Sequence, residues 1–454
     1  MHCLHSTTLK SAFSRLKLLP GRWCHRLFSR SLSSASSKSS AWHRPDASAA
    51  AAVSVDEARR TLSVTWPSSA QDWTASHWEA ASLFPLAWLR DSCQCPTCFN
   101  PATKSRTLHF KDFNPRVPVR SASVSPDSST LTVEWQDGHR SSYSRQWLQV
   151  RSFTESARRR RGEALAFTAR KKQWSQELTE FDYSELMSKD SVLLELLHHL
   201  DCFGCLLVRQ SPTELGTLPK FGQRLAGFLA PSNYGHSFEV KSKSDPSNAA
   251  YTSGYLGLHI DQSFYSRRPG VQILHCISQP TDGSIQGGES LIADGFQAAA
   301  IMRRSHPDHF QALTTLPIDF NDYGSDFVGD FHFINRETVL RLNSIGEVDR
   351  VTFSGHSRDY NQNHLEPEKV QLLYEALKIF YETLSKPPCI IKHKMQTGHM
   401  QLLDNRRVLH GRLAFNVIGT AERFLHGGYV EWDEVYSRMR RLEEAARGDA
   451  REAQ

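Results

Sequence analysis

The feature that most constrains the fold is a series of short β-prone runs, interrupted by glycine and proline, within residues 178–445. Such runs occupy residues 205–209, much of 232–295, residues 390–403 and residues 424–430. Helical periodicity covers residues 191–200, 218–229, 293–316 (broken at Pro307) and 366–384. Many short strands with a few flanking helices predict a mainly β domain of the jelly-roll type.

Strand-like alternation also precedes this region, at residues 54–65 and 130–135. Residues 136–139 contain an Asp-Gly pair, which is typical of a hairpin turn. These patterns predict a small β-rich domain over residues 52–150. Residues 151–177 are basic and poor in hydrophobic side chains, so they predict a solvated linker. An acidic partner surface is the alternative interpretation of that linker.

Positive charge is concentrated at the N-terminus. The formal charge is +6, but residues 1–45 carry eight Lys and Arg and no acid, which leaves the rest near −2 (6 − 8). That body charge does not favour a nucleic-acid partner, and no apolar run approaches the roughly 18 residues of a membrane span. Residues 1–50, basic and rich in Ser, Leu and Ala, are typical of a mitochondrial transit peptide followed by a disordered segment. We expect a matrix protein, with a disordered basic tail and the cytoplasm as alternatives.

A candidate metal site joins two stretches that lie 151 residues apart (410 − 259), namely His259-Ile260-Asp261 and the stretch around His410. Two histidines and one carboxylate form the facial triad of non-heme Fe(II) oxygenases. The spacing His-x-Asp also begins at His199 and His306, but His199 closes a helical run and His306 precedes a helix-starting proline. The alternative for His259 is a core histidine beside a loop aspartate.

Two further side chains are suited to bind a carboxylate. Arg423 follows His410 by 13 residues and offers a forked cation. Ser290 ends a Gly-Gly-Glu-Ser turn and offers a hydroxyl, although such a turn alone is ordinary. With the triad, they predict a hydroxylase that uses O2 and 2-oxoglutarate on a small molecule.

A second candidate metal site is a cluster of three cysteines, Cys93, Cys95 and Cys98. A structural zinc ion usually takes four ligands, so a fourth is required. His139, 41 residues later, is the expected ligand and His109 is the alternative. Buried free thiols are the competing interpretation. The separate pair at residues 202 and 205 enters an apolar strand and is expected to pack in the core.

Four aromatic residues flank the metal stretches, namely Tyr234, Phe238, Tyr251 and Tyr429. Aromatic faces bind quaternary ammonium groups by cation–π attraction. Ordinary core packing is the alternative for all four.

Together these motifs resemble the gamma-butyrobetaine hydroxylase and trimethyllysine hydroxylase family of 2-oxoglutarate oxygenases, over about residues 80–440. The markers are the cysteine cluster and residues 88–91, 269–272, 275–276, 294–296, 404–406 and 409–412. The resemblance implies a double-stranded β-helix catalytic domain over residues 178–445, behind a small zinc-binding N-terminal domain. It also implies a homodimer and a benefit from ascorbate as reductant.

The resemblance implies a role for each matching position. His259, Asp261 and His410 would bind iron, and Arg423 would hold the distal carboxylate of 2-oxoglutarate. The implied zinc ligands are Cys93, Cys95, Cys98 and His139. The implied substrate pocket comprises Tyr234, Phe238, Asn248, Tyr251, Gln262, Ser354 and Tyr429.

Three of these pocket positions depart from the butyrobetaine enzyme. Phe238 replaces Trp, Gln262 replaces Tyr and Ser354 replaces Asn. A trimethylammonium substrate is still expected, because three of the tyrosines are retained. Local motifs favour hydroxylation of gamma-butyrobetaine to carnitine, whereas the transit-like N-terminus and the pair Phe264-Tyr265 favour trimethyllysine. Another onium substrate and a non-catalytic, zinc-stabilised interaction protein are the remaining alternatives.

Overall fold

The computed structural model describes residues 51–67, 81–165, 172–241 and 249–452. The predicted transit segment, residues 1–50, lies outside these ranges. The chain divides into two compact units, residues 1–161 and residues 162–454. Among the described residues, no helix combines the length and apolar character that crossing a bilayer requires.

The first unit is built mainly from short antiparallel strands. Its strands are β1 (Ala52–Asp56), β2 (Thr61–Thr65), β3 (Ala81–Pro85), β4 (Phe99–Asn100), β5 (Ser105–Arg106), β6 (Val119–Val124), β7 (Thr130–Trp135) and β8 (Arg140–Ser144). Its helices are α1 (Leu86–Asp91), α2 (Arg145–Gln149) and α3 (Glu155–Leu165), the last of which spans the boundary between the units. The strands form two three-stranded sheets, β1-β2-β3 and β6-β7-β8, and the pair β4-β5.

Alternating burial explains the core of this unit. In β7, Leu131, Val133 and Trp135 are fully buried while their neighbours are partly exposed. The predicted strand at residues 130–135 and the hairpin turn after it are therefore confirmed. The prediction of one strand over residues 54–65 is wrong, because the chain turns at residues 57–60 and pairs β1 with β2. The predicted linker, residues 151–177, contains helix α3.

The second unit contains the larger sheets. Its strands are β9 (Glu180–Asp182), β10 (Cys205–Arg209), β11 (Ser237–Val240), β12 (Leu256–His259), β13 (Val271–Ser278), β14 (Ile285–Gly287), β15 (Ser290–Asp294), β16 (Pro317–Asp326), β17 (Gly329–Thr338), β18 (Leu340–Leu342), β19 (Val348–Val351), β20 (Ile390–His393), β21 (Met400–Asp404), β22 (Val408–Arg412), β23 (Phe415–Val417) and β24 (Phe424–Val430). Its helices are α4 (Tyr183–Ser188), α5 (Asp190–Phe203), α6 (Thr217–Ala226), α7 (Gly295–Ser305), α8 (Pro307–Thr315), α9 (Pro367–Leu384) and α10 (Trp432–Glu452).

Two sheets organise this unit. One has six strands in the order β11-β24-β13-β21-β10-β9, and the other has four in the order β12-β22-β15-β20. Every pairing in them is antiparallel except that of β9 with β10. Helices α5, α6 and α10 pack on one face of the six-stranded sheet, and α7, α8 and α9 pack on one face of the other. This arrangement is the predicted mainly β jelly roll with flanking helices.

The predicted helices differ from the observed ones at their ends, for local reasons. Helix α6 stops at Ala226 rather than at residue 229, because Gly227 takes a positive φ of 94° and closes the helix. Helix α7 begins at Gly295 rather than at residue 293. Residues 293 and 294 complete β15 instead, and the Asp294 carboxylate accepts a hydrogen bond from the Phe296 N–H. The predicted break at Pro307 is confirmed.

Candidate active site

The predicted iron ligands meet because two strands pair side by side. His259, the last residue of β12, lies directly opposite His410 of β22 in the antiparallel register. Asp261 follows two residues after His259, and its Oδ1 lies 3.3 Å from His259 Nε2 and 3.5 Å from His410 Nε2. The pairing of β12 with β22 therefore brings together two stretches that are far apart in the sequence.

Hydrogen bonds orient these three side chains. His259 Nδ1 lies 2.9 Å from the Gly257 carbonyl, which leaves Nε2 free to bind a metal. The Gln272 amide donates to Asp261 Oδ2 and lies 3.0 Å from His410 Nε2. Because the Gln272 amide nitrogen is a hydrogen-bond donor, its position favours an unprotonated Nε2 on His410 as well. The arrangement is preformed for a cation.

The electrostatics of the ligands fit the same conclusion. Burial opposes ionisation of Asp261, yet the neighbouring histidines His410 and His259 and the Tyr429 hydroxyl lower its pKa below the usual range. Burial, and then the neighbouring His259, lowers the pKa of His410 to about 4. An ionised carboxylate and neutral imidazoles are the forms that coordinate a divalent metal. Since the donor atoms lie within 4.8 Å of one another, the group fits one ion.

A cleft opens beside this group. It encloses about 1020 Å³ of empty space, counting the part open to solvent, and side chains from both sheets line it. Gln272 and Leu274 of β13 face the cleft, whereas Ile273 between them packs into the core. The period of two along the strands thus separates the helix-covered face from the cleft face.

Arg423 brings a buried cation to one wall of the cleft. It immediately precedes β24 and is 6% exposed, and among the described residues its Nε atom has no hydrogen-bond partner. Burial lowers its pKa, but an arginine remains charged. Ser290 lines the same cleft. A buried, incompletely paired guanidinium is suited to bind a carboxylate.

Aromatic rings form another part of the wall. The predicted residues Tyr234, Phe238, Tyr251 and Tyr429 all line the cleft. The Phe238 ring centroid lies 5.4 Å from that of Tyr234 and 5.4 Å from that of Tyr429. The Tyr429 hydroxyl donates to Asp261 Oδ2 at 2.7 Å, so this wall reaches the metal group. Several aromatic faces around one space are suited to a quaternary ammonium group.

The three remaining predicted pocket positions are placed differently. Gln262 lines the cleft with a positive φ of 54°, and its amide donates to Asn233 Oδ1 at 3.1 Å. Ser354 is buried, and its hydroxyl accepts a hydrogen bond from the Ser357 N–H at 3.2 Å, whereas Ser357 itself lines the cleft. Asn248 lies outside the described residues.

Among the wall residues that were not predicted as site residues are the polar side chains of Gln272, Arg412, His356 and Asp322. Gln272 and Arg412 lie inside the family markers at residues 269–272 and 409–412, and the alternation of strands β13 and β22 could have placed them on the cleft face. His356 comes from a segment without a predicted role, and Asp322 lies in one of the local motifs that favour the butyrobetaine enzyme. The His356 ring centroid lies 4.6 Å from that of His259. Contacts made in the folded chain reveal these two residues.

Arg412 connects the metal strand to the aromatic wall. Its guanidinium donates to the carbonyls of Thr252 at 2.6 Å and Gly254 at 2.9 Å. This segment follows Tyr251 directly. Arg412 therefore fixes the backbone that carries one aromatic ring of the cleft.

The predicted cysteine cluster also assembles, in the first unit. His139 Nε2 lies 3.3 Å from Cys93 Sγ, 3.7 Å from Cys95 Sγ and 3.6 Å from Cys98 Sγ. Donors about 3.5–3.8 Å apart match a tetrahedral ion with Zn–S bonds of ~2.3 Å and a Zn–N bond of ~2.0 Å. His139, not His109, belongs to this group.

Arg90 lies behind the cluster. Its guanidinium donates to Cys98 Sγ at 3.5 Å and to Asp137 Oδ2 at 3.3 Å. The same aspartate accepts a hydrogen bond from the His139 N–H at 2.9 Å. Arg90 thereby joins helix α1 to the turn that supplies the fourth donor.

The other two His-x-Asp motifs and the second cysteine pair lie in elements away from the two metal groups. His199 lies in helix α5 and stacks on Phe203 at 4.4 Å between ring centroids, and His306 caps helix α8. Cys205 is buried in β10, as expected of a core residue.

Comparisons with known proteins match both units. A family profile described as taurine catabolism dioxygenase TauD, TfdA family matches residues 163–429. A second profile, gamma-butyrobetaine hydroxylase-like, N-terminal, matches residues 53–149.

Individual relatives extend over most of the chain. The gamma-butyrobetaine dioxygenase of Homo sapiens is 32% identical over 80% of this chain and 92% of its own length. The enzyme of the same name from Pseudomonas sp. (strain AK-1) is 30% identical over 83% of this chain and 92% of its own length. The mitochondrial trimethyllysine dioxygenase of Gallus gallus is 27% identical over 85% of this chain and 89% of its own length.

Proposed function

We propose, from the premise that this chain belongs to the taurine catabolism dioxygenase TauD, TfdA family, that it hydroxylates gamma-butyrobetaine to carnitine with O2 and 2-oxoglutarate. The observation that carries the proposal is the convergence of three features on one cleft. These are the His-Asp-His group, the buried cation of Arg423 and the aromatic wall. The relatives named gamma-butyrobetaine dioxygenase favour this substrate over trimethyllysine, because they are the more similar ones.

His259, Asp261 and His410 would hold Fe(II), and three coordination positions would remain for the co-substrate and O2. When bound, the iron with 2-oxoglutarate supplies the oxidation of one C–H bond, giving the alcohol, succinate and CO2. Gln272 holds the Asp261 carboxylate in place through its amide. The protein's own contribution is to fix the ligands before the substrate arrives.

Arg423 would bind the distal carboxylate of 2-oxoglutarate, with the Ser290 hydroxyl on the same wall. A forked guanidinium gives two parallel hydrogen bonds to a carboxylate and so fixes its direction. Burial strengthens the attraction, because little water screens the pair.

The trimethylammonium group of the substrate would lie among Tyr234, Phe238, Tyr251 and Tyr429. Such a group has no N–H to donate, so aromatic faces are well suited to hold it. Held at that end, the substrate would present one carbon of its chain to the metal.

The N-terminal unit would carry a structural zinc ion on Cys93, Cys95, Cys98 and His139. The Cys3His donor set leaves no open position on a tetrahedral ion, so this zinc would stabilise the fold rather than react. Arg90 would offset the excess negative charge of three thiolates.

Mitochondrial localisation is proposed from composition alone, since residues 1–50 are basic and contain a single acid. We expect the full chain to reach the matrix and a chain lacking residues 1–50 to remain cytosolic. Cell fractionation of both forms tests this expectation.

Succinate formation by the full chain, with Fe(II), ascorbate and 2-oxoglutarate, tests the substrate. Stimulation by gamma-butyrobetaine is expected to exceed stimulation by trimethyllysine. Stimulation by trimethyllysine alone would reassign the substrate, and no stimulation by either would leave another onium compound or a non-catalytic role.

A further inference from the structure

The hairpin of β16 and β17 brings a carboxylate to the cleft that the proposed chemistry does not use. Asp322 of β16 lies opposite Phe333 of β17 in the register and lines the cleft. The Phe333 ring packs against Tyr265 at 4.7 Å and Phe264 at 5.7 Å between centroids. Because residues opposite each other share one face of a hairpin, these contacts turn the face that bears Asp322 inwards.

Asp322 has no cationic partner among the described residues. None of the ion pairs found there includes it, and the Tyr323 backbone is the one neighbouring group that favours its charged form. Burial and the nearby carboxylate of Asp326 raise its pKa to about 6, so it is ionised at neutral pH but at a cost. A half-buried carboxylate of this kind gains from any cation that enters the cleft.

The charge of Asp322 acts on the aromatic wall. After burial, Asp322 is the largest influence that raises the pKa of Tyr234, ahead of Asp261. Asp326, four residues along the same face of β16, acts in the same way on Tyr251, after burial. Two aromatic rings of the cleft therefore lie in a negative potential.

The cleft is consequently polarised. Its cationic side chains, Arg412 and Arg423, are neighbours, since burial and then the charge of Arg423 lower the pKa of Arg412. Of the two, Arg423 defines the part of the wall suited to the carboxylate of the co-substrate. Asp322 marks another part of the wall with the opposite charge.

We propose that Asp322 is a specificity-determining residue that selects a cationic head group through its charge, together with the aromatic rings beside it. The inference rests on the proposed function and adds to it a named anionic partner for the trimethylammonium group. That group cannot accept or donate a classical hydrogen bond, so the carboxylate acts on it by Coulomb attraction through space. Such attraction would also offset the weaker cation–π contribution of Phe238 where Trp is expected.

The test compares two ligands of nearly equal shape and different charge. One is gamma-butyrobetaine, and the other is 5,5-dimethylhexanoate, in which carbon replaces the quaternary nitrogen. Binding of each to the full chain with iron and 2-oxoglutarate is measured for the unchanged protein, for Asp322→Asn and for Asp330→Asn. Asp330 is the matched control, because it carries the same charge on the outer, exposed face of the same hairpin.

We expect Asp322→Asn to weaken binding of gamma-butyrobetaine about ten-fold, as a charge pair at partly screened distance would, and to leave the neutral ligand nearly unchanged. Asp330→Asn should change neither. Equal weakening of both ligands in Asp322→Asn would assign the residue a structural role and overturn the inference. An unaltered preference for the cation in that variant would also overturn it.

The unchanged protein separates this inference from the proposed function. If it binds the neutral ligand as well as the cation, the trimethylammonium substrate itself is wrong, and the role of Asp322 falls with it. If it prefers the cation and Asp322→Asn keeps that preference, the substrate stands and only the role of Asp322 fails.

Discussion

The Tyr429 hydroxyl donates a hydrogen bond of 2.7 Å to Asp261 Oδ2. One ring thus belongs to both the aromatic wall and the surroundings of the metal group. Asp261 is buried, so the hydrogen bond contributes to keeping it ionised. Substrate recognition and metal binding are joined at this contact.

Removing that hydroxyl should affect the metal more than the substrate. Tyr429→Phe keeps the ring but loses a hydrogen bond to a charged group, worth about 1.5–3 kcal/mol. We expect iron affinity to fall roughly ten- to a hundred-fold. An Fe(II) titration of succinate formation measures it. Tyr255→Phe is the control, because its hydroxyl contacts Tyr381 instead, and equal affinities for all three proteins would contradict the contact's role.

Arg423 should control the affinity for 2-oxoglutarate. Arg423→Lys keeps a charge but loses the fork that holds both carboxylate oxygens. We expect the KM for 2-oxoglutarate to rise roughly a hundred-fold, in line with the cost of about 2–5 kcal/mol for breaking a buried pair. Steady-state kinetics with varied 2-oxoglutarate provides the measurement. A KM unchanged in the variant would place the co-substrate elsewhere.

Arg412 is expected to act on the substrate through the backbone near Tyr251. Arg412→Lys cannot reach the carbonyls of Thr252 and Gly254 together in the same geometry. The KM for gamma-butyrobetaine should then rise about ten-fold, while the KM for 2-oxoglutarate changes less. Kinetics that vary each reactant in turn distinguish this outcome. A larger effect on 2-oxoglutarate would instead make Arg412 part of the anion site.

Zinc content should distinguish the two histidines that the sequence left open. His139→Ala is expected to lose the ion, because His139 is the fourth donor. His109→Ala should retain one zinc per chain, because His109 only precedes a short 3-10 helix. Metal analysis of purified protein, with the melting temperature beside it, gives the answer. Zinc retained by His139→Ala would refute the assignment.

Substrate affinity should fall in mild acid because of Asp322. Its pKa is raised to about 6, so the attractive charge is present above that pH and is lost as the pH falls through it. Its neighbour Tyr234 does not titrate there, since burial and then the charge of Asp322 raise the pKa of that tyrosine further above neutrality. We expect the KM for gamma-butyrobetaine to rise below pH 6. Asp322→Asn should lack this rise, and a variant that keeps it would exclude Asp322 as its source.

Periodicity predicted much of the fold. The strand at residues 424–430 and the helix pair broken at Pro307 follow from local pattern and chain geometry, and both are confirmed. The hairpin of β16 and β17 was not predicted. Its outer face exposes the large hydrophobic residues Tyr323 and Ile334. The sequence therefore lacks the alternation of polar and apolar residues that identifies a half-buried strand.

In the candidate site, the metal donors were predicted from the sequence and several wall residues were not. Metal donors are recognisable because few residue types bind a given ion, and the predicted group His259, Asp261 and His410 does come together. Wall residues such as Asp322 are common residue types, and only the folded chain places them. Ser354 is the opposite case. Its position in the sequence matches a pocket residue, but its hydroxyl accepts a hydrogen bond within its own turn.

The most direct test of the account is the product formed from gamma-butyrobetaine under isotopically labelled O2. With the full chain, Fe(II) and 2-oxoglutarate, we expect carnitine that carries one labelled oxygen atom, in step with succinate. His259→Ala, which removes one ligand of the triad, should form neither. Succinate without any hydroxylated product, or product formation that survives in His259→Ala, would contradict the account.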